Sequence, residues 1–305
     1  MIQNEGAKLL QSFSDAVVQL AEAVSPSVVN VSNGRRTGTG MVWSPDGHII
    51  TAGHVVGRGV APTVTLSDGR EFQSEVVGVD RFSDVAVLKI DASGLTAVSR
   101  GDAGELRVGQ FVLALANAFG RKPSATSGIV TSRMRNVRGW WGTMVENAVV
   151  SDAKLNPGYS GGPLVDAWGN LRGMNVAYFS GRGVAVPVDQ LTEVVPRLVK
   201  DRGVKKGYLG VVVEPIELPD DISGKAEVGQ DTGLLVRSVE VETPAKRAGL
   251  TVGDIIVRLG GTKVSDDYEL HRALASDSIG KEQSLWVLRG GALAELKVTP
   301  VEGRE

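Results

Sequence analysis

Apolar positions change their spacing twice along this chain. Between residues 7 and 23, Leu9, Leu10, Phe13, Val17, Leu20 and Ala21 recur three and four residues apart, which predicts a short amphipathic helix. Such a helix either packs on its own domain or meets another copy of the chain. From Ser27 the apolar runs become short and β-branched, at residues 28–31, 49–51, 63–66 and 85–90. Gly34–Gly38, Ser44–Gly47 and Ser67–Arg70 supply turn chemistry between them. A second set follows at 111–116, 128–132, 148–151, 171–177 and 184–186. Closely spaced strands punctuated by turns predict a sandwich or barrel, and two comparable sets predict two small barrels.

Helical spacing returns at 188–200, with Asp189 at its start and Asp201-Arg202-Gly203 at its end. Val204-Lys205-Lys206 is charged and reads as a linker. Beyond it, strands are predicted at 234–238, 255–259, 284–288 and 295–298. One helix should start at Pro244, and another should run from Asp266 or Asp267 to about Ala275. The expected organisation is a helical segment at 1–25, an all-β double barrel at 26–203, a linker at 204–206 and a small α+β domain at 207–302.

Composition narrows the functions open to such a chain. The 305 residues carry a formal net charge of −2 and no basic block, so nucleic acid is not an expected partner. There is no cysteine, which excludes disulfides, zinc–thiolate sites and cysteine nucleophiles. His48, His54 and His271 are too far apart to form a metal motif, and no metal or other cofactor is expected. No apolar run is long enough to span a membrane. Charges at Glu5, Lys8, Asp15 and Glu22 interrupt the apolar start, so it does not read as a signal peptide. Two compartments stay open: cytoplasmic for a complete chain, extracytoplasmic for one whose leader has been removed.

The candidate chemistry centres on Asn156-Pro157-Gly158-Tyr159-Ser160-Gly161-Gly162-Pro163-Leu164. A serine hydroxyl needs a neighbouring base and a rigid, exposed position to act as a nucleophile. Flanking glycines permit a sharp turn, and the amides of Gly158 and Ser160 can then point at one spot, where an oxyanion would sit. Upstream, His54 follows one apolar run and Asp84 opens another. A carboxylate entering an apolar strand is costly unless paired, and an imidazole N–H is a natural partner. Asp80, the competing carboxylate, reads as a turn former. Each residue alone has an ordinary structural explanation. Together, the order His54, Asp84, Ser160 is that of chymotrypsin rather than of subtilisin or the α/β-hydrolases. Ser160 would attack, His54 would carry the proton, and Asp84 would hold the imidazole.

These residues, with Thr37-Gly38-Thr39-Gly40, Thr51–Val56, Asp84–Ile90 and Ser151-Asp152-Ala153, resemble the HtrA (Deg) family of trypsin-like serine proteases with PDZ domains. The resemblance covers nearly the whole chain from about residue 12 to 300. It implies a chymotrypsin-like double barrel with His54 and Asp84 from the first barrel and Ser160 from the second. It also implies ATP-independent cleavage of unfolded or damaged proteins, carried out by homotrimers. Gly207-Tyr208-Leu209-Gly210-Val211 looks like the carboxylate-binding loop of a PDZ domain, which takes C-terminal peptides. Leu270, Ala273 and Leu274 would either line its groove or belong to its core. Val252–Ile256 is a further match with a structural role. Trp140 and Trp141 fall where the family carries a regulatory loop.

Two positions depart from the family. Asparagine usually precedes the nucleophile, whereas Tyr159 stands here, and a bulky ring at that place would reshape the oxyanion turn. Lys154, six residues before Ser160, replaces a small residue at the floor of the specificity pocket. Its charge either meets the substrate or escapes to solvent. The leading expectation is a serine endopeptidase regulated through its PDZ domain. The alternative is a weakly active or inactive protease fold that binds peptides or acts as a chaperone. A serine esterase of α/β type fails on residue order and on the lack of alternating strands and helices.

Overall fold

The computed structural model describes residues 5–57, 60–101, 106–118, 120, 123–138, 143–179, 182–201, 207–218, 228–274 and 278–303. The predicted linker at 204–206 and the Trp140–Trp141 pair lie outside the described residues. The chain divides into two compact units, Met1–Gly203 and Val204–Glu305.

The first unit opens with helix α1 (Glu5–Val24). Its second half does what the spacing demands: Val17, Leu20, Ala21 and Val24 pack on Val28, Leu113, Leu115 and Val165. Its first half leaves Leu9 73%, Leu10 71% and Phe13 56% exposed, although the Phe13 ring meets Phe111 edge-on.

Seven antiparallel strands follow: β1 (Val28–Ser32), β2 (Thr37–Ser44), β3 (His48–Ala52), β4 (Thr63–Thr65), β5 (Glu71–Gln73), β6 (Glu75–Asp80) and β7 (Val85–Lys89). Their order is β5-β4-β1-β2-β3-β7-β6. The two edge strands, β5 and β6, are separated in sequence by Ser74 alone, so the sheet must curl until its edges meet. The Thr-Gly-Thr-Gly run, expected as turn punctuation at its start, instead opens β2. It pairs with β1 from Ser32↔Thr37 to Val28↔Met41, and close packing explains the glycines. A methyl at Gly40 would fall 2.9 Å from Val31 Cγ2 and 3.0 Å from the Ile50 carbonyl.

The second set closes into a barrel of six strands. These are β8 (Phe111–Ala116), β9 (Ser124–Arg138), β10 (Met144–Ser151), β11 (Pro163–Asp166), β12 (Leu171–Phe179) and β13 (Arg182–Pro187), ordered β10-β13-β12-β11-β8-β9. β9 is much longer than the expected 128–132. Helix α3 (Val188–Asp201) buries Val188, Leu191, Val195 and Leu198 on one stripe and packs on β6 and β7.

In the second unit, β14 (Gly207–Tyr208) pairs with β21 (Val301–Glu302). The main sheet runs β15 (Val211–Glu217), β16 (Thr232–Val239), β17 (Ile255–Leu259), β19 (Gln283–Arg289) and β20 (Ala292–Val298), with β18 (Thr262–Lys263) as a hairpin on β17. Helix α4 (Pro244–Arg247) starts at the expected proline, with Thr243 accepting from Lys246 N–H. Helix α5 (Asp267–Ala273) is capped by Asp266, whose side chain accepts from Glu269 N–H at 2.9 Å. Such caps satisfy orphan donors of the first turn.

Candidate active site

Strand β3 ends at Ala52, and His54 sits in a single helical turn, α2 (Gly53–Val56). Sequence spacing had suggested a strand end. The turn is held by Asp84. Gly53 N–H donates to the Asp84 carbonyl at 2.9 Å, and His54 N–H to Asp84 Oδ1 at 2.8 Å. Asp84 Oδ2 lies 2.6 Å from His54 Nδ1. Because a carboxylate only accepts, Nδ1 carries a proton, and the neutral imidazole would then have its lone pair on Nε2. Asp84 is 6% exposed and has φ +56°, a left-handed conformation that Asp tolerates better than most residues. Asp80, expected in the turn, instead ends β6, paired with Val85 just ahead of the turn. Its carboxylate accepts from Phe82 N–H at 3.0 Å and from the Ser83 hydroxyl at 2.7 Å.

Ser160 lies in the turn between β10 and β11. Gly158 has φ +90° and packs so closely on Ala118 that an added Cβ would come within 2.4 Å of the alanine methyl. Only glycine meets both conditions without strain. Within the turn, Tyr159 N–H donates to Asn156 O, Gly161 N–H to Asn175 O, and Gly162 N–H to Tyr159 O. The N–H groups of Gly158 and Ser160 have no acceptor among the described residues. Two of five consecutive amides are therefore left for a ligand.

The Ser160 hydroxyl donates to the Val176 carbonyl at 3.2 Å, not to His54. Val176 falls where the β12–β13 register shifts between Asn175 and Ala177, so it is skipped by that ladder. His54 and Asp84 are thus brought together, and Ser160 lies on the opposite barrel with its hydroxyl turned away.

Tyr159 is 4% exposed and belongs to the interior of the second barrel, among Ala114, Ala116, Ala153, Leu164 and Ala185. The ring is therefore part of the barrel's apolar interior rather than exposed beside the nucleophile. Lys154 is exposed, between buried Ala153 and Leu155.

In the second unit, Tyr208 ends β14 and its hydroxyl donates to Glu240 at 2.5 Å. That bond to a carboxylate raises the phenol pKa. Leu209 and Gly210 form the following turn, and Val211 begins β15. Leu209 O and Gly210 O accept from Ala245 N–H and Glu240 N–H at 2.9 Å each, whereas the amides of Leu209 and Gly210 have no acceptor among the described residues. Among the described residues, strand β15 pairs only with β16, which leaves its other edge open there. Leu270 and Leu274 are buried with Leu209 in the core, while Ala273 is partly buried against it. Asp254, in the further sequence match, is 1% exposed and accepts from Arg289 Nε at 2.7 Å and Thr251 N–H at 2.8 Å.

Two family models match the chain: "Trypsin-like peptidase domain" over residues 38–174 and "PDZ domain" over 207–299. A probable periplasmic serine endoprotease, DegP-like, from Brucella suis biovar 1 is 36% identical over 270 residues, covering 86% of this chain and 52% of the relative. Protease Do-like 1, chloroplastic, from Arabidopsis thaliana is 34% identical over 96% of this chain and 73% of its own length. Among solved structures, the HtrA-type protease AlgW with tripeptide is 32% identical. It aligns with a TM-score of 0.78 over 94% of this chain and 97% of that one. The chain spans about half the length of the Brucella relative and most of the other two.

Proposed function

This chain belongs to the HtrA (Deg) family of trypsin-like serine endoproteases with a PDZ domain, and on that premise we propose that it cleaves unfolded or damaged proteins without ATP. The carrying observation is that Asp84 accepts from both the backbone and Nδ1 of His54, which orients Nε2 as a base. The reaction follows from there. The Ser160 hydroxyl leaves the Val176 carbonyl, passes its proton to His54 Nε2 and bonds to the scissile carbonyl carbon. The N–H groups of Gly158 and Ser160 receive the oxyanion, where charge develops. His54 then returns the proton to the leaving amine, and water repeats the sequence on the acyl-enzyme. Peptide hydrolysis is downhill, and no step in this sequence draws on ATP.

The PDZ unit is proposed to regulate cleavage by binding C-terminal peptides. The open edge of β15 suits strand addition, and the unmatched Leu209 and Gly210 amides suit a terminal carboxylate. The exposed half of α1 is proposed as a contact of a homotrimer. Tyr159 was the reason to consider a fold that binds without cutting, and with its ring inside the barrel it lends that reading no support.

Casein degradation tests the proposal. Ser160→Ala and His54→Ala should abolish it while remaining folded, and Asp84→Asn should lower kcat about 10⁴-fold by favouring the wrong imidazole tautomer. Undiminished cleavage by purified Ser160→Ala would refute it.

A further inference from the structure

Thr37-Gly38-Thr39-Gly40 takes no part in the triad, yet Thr39 is where the first barrel grips the Ser160 turn. The residue is fully buried. Its hydroxyl donates to the Gly158 carbonyl at 2.6 Å and accepts from Asn117 N–H at 2.9 Å. A carbonyl cannot donate and an amide N–H cannot accept, so a single proton arrangement satisfies both bonds. Its main-chain N–H donates to the Ser160 carbonyl at 2.9 Å. The carbonyls on either side of Tyr159 are therefore tied to one residue of the other barrel. Thr39 is itself held, because its own carbonyl accepts from the Thr51 hydroxyl at 2.7 Å and it pairs with Asn30 in the β1–β2 ladder.

The Thr39 hydroxyl is the one hydrogen-bond donor that reaches the Gly158 carbonyl among the described residues. Glycine in a left-handed conformation has other orientations within easy reach. Released from the hydroxyl, Gly158 can rotate about its flanking bonds and carry its N–H out of register with that of Ser160, the other unmatched amide of the turn. We propose that Thr39 is a positioning residue for this protease, its hydroxyl fixing Gly158 so that the oxyanion donors stay convergent. The proposal rests on the reading of Ser160 as the nucleophile. Thr39 touches no substrate; it acts only through Gly158.

The full-length protein decides this through Thr39→Val, which keeps shape and removes the hydroxyl, and Thr39→Ser, which keeps the hydroxyl. Casein kcat and KM, the saturating labelling rate of a fluorophosphonate probe, and melting temperature are measured for each. Thr39→Val should lower kcat and the labelling rate about 10- to 100-fold with KM little changed, since donors misplaced by a fraction of an ångström forfeit much of their effect. Thr39→Ser should stay near wild type, and the pH profile of kcat/KM should keep its midpoint because His54 and Asp84 are untouched. If Thr39→Val does not fold, Thr39→Ala is judged by the same criteria. Wild-type kcat in Thr39→Val, equal losses in Val and Ser, or a loss confined to KM would each overturn the proposal. Absence of Ser160 labelling in the wild type would instead overturn the nucleophile itself.

Discussion

Lys154 is the residue whose chemistry reaches furthest from the family pattern. It is exposed, and its ammonium has no ion-pair partner among the described residues. We propose that it reads the substrate: a side chain held by nothing else is available to a substrate carboxylate. The gain is modest, because a solvent-facing ion pair is worth about 0–1 kcal/mol. Lys154→Ala should therefore lower cleavage after acidic residues only a few-fold, as read by mass spectrometry of the products. Identical site preferences in the two enzymes would remove Lys154 from the pocket. The residue scale also shows where sequence reading stops. The motif around Ser160 and the order of His54, Asp84 and Ser160 stand out in the chain, because each lies in a short local pattern. The Thr39–Gly158 bond joins residues 119 positions apart, and no local pattern reports it. Nor does any show that the Tyr159 ring is buried, since that depends on residues of other strands.

At the scale of elements, strands that bury a continuous apolar face were legible, and β7, β8 and β17 fall within a residue of expectation. Those that hide are explained by their composition. β2 begins with Thr-Gly-Thr-Gly, which imitates a turn, and β15 alternates exposed and half-buried positions around Pro215. One element carries a pH dependence. Burial pushes the Asp254 carboxyl up, but hydrogen bonds from Arg289 and Thr251 outweigh it, and the net pKa is lowered. A carboxylate with a depressed folded pKa stabilises fully above its unfolded value of about 4, and that stability is lost as pH falls through the folded value. The calorimetric transition of the PDZ unit should fall in temperature below about pH 4. In Asp254→Asn it should be lower at neutral pH, by about 2 kcal/mol of stability, and depend less on acid. An acid dependence unchanged by Asp254→Asn would contradict this assignment.

For the whole molecule, the amphipathic helix is the point at which sequence and structure leave most to solution measurement. Its inner half covers the second barrel, while Leu9, Leu10 and Phe13 face outward. Apolar side chains grouped in this way favour an interaction surface, in keeping with the proposed homotrimer. Light scattering should give three times the 32.1 kDa chain mass and a smaller species after deletion of residues 1–22. A monomer at micromolar concentration, or an assembly indifferent to that deletion, would contradict it.

The central claim is that the Ser160 hydroxyl, although bonded to Val176 at rest, is activated by the His54–Asp84 pair. Incubating the full-length protein with a fluorophosphonate probe and mapping the adduct by mass spectrometry tests this directly. The account predicts one probe per chain, on Ser160, and none in His54→Ala over the same time. An unlabelled wild type, or equal labelling of Ser160 in His54→Ala, would contradict it.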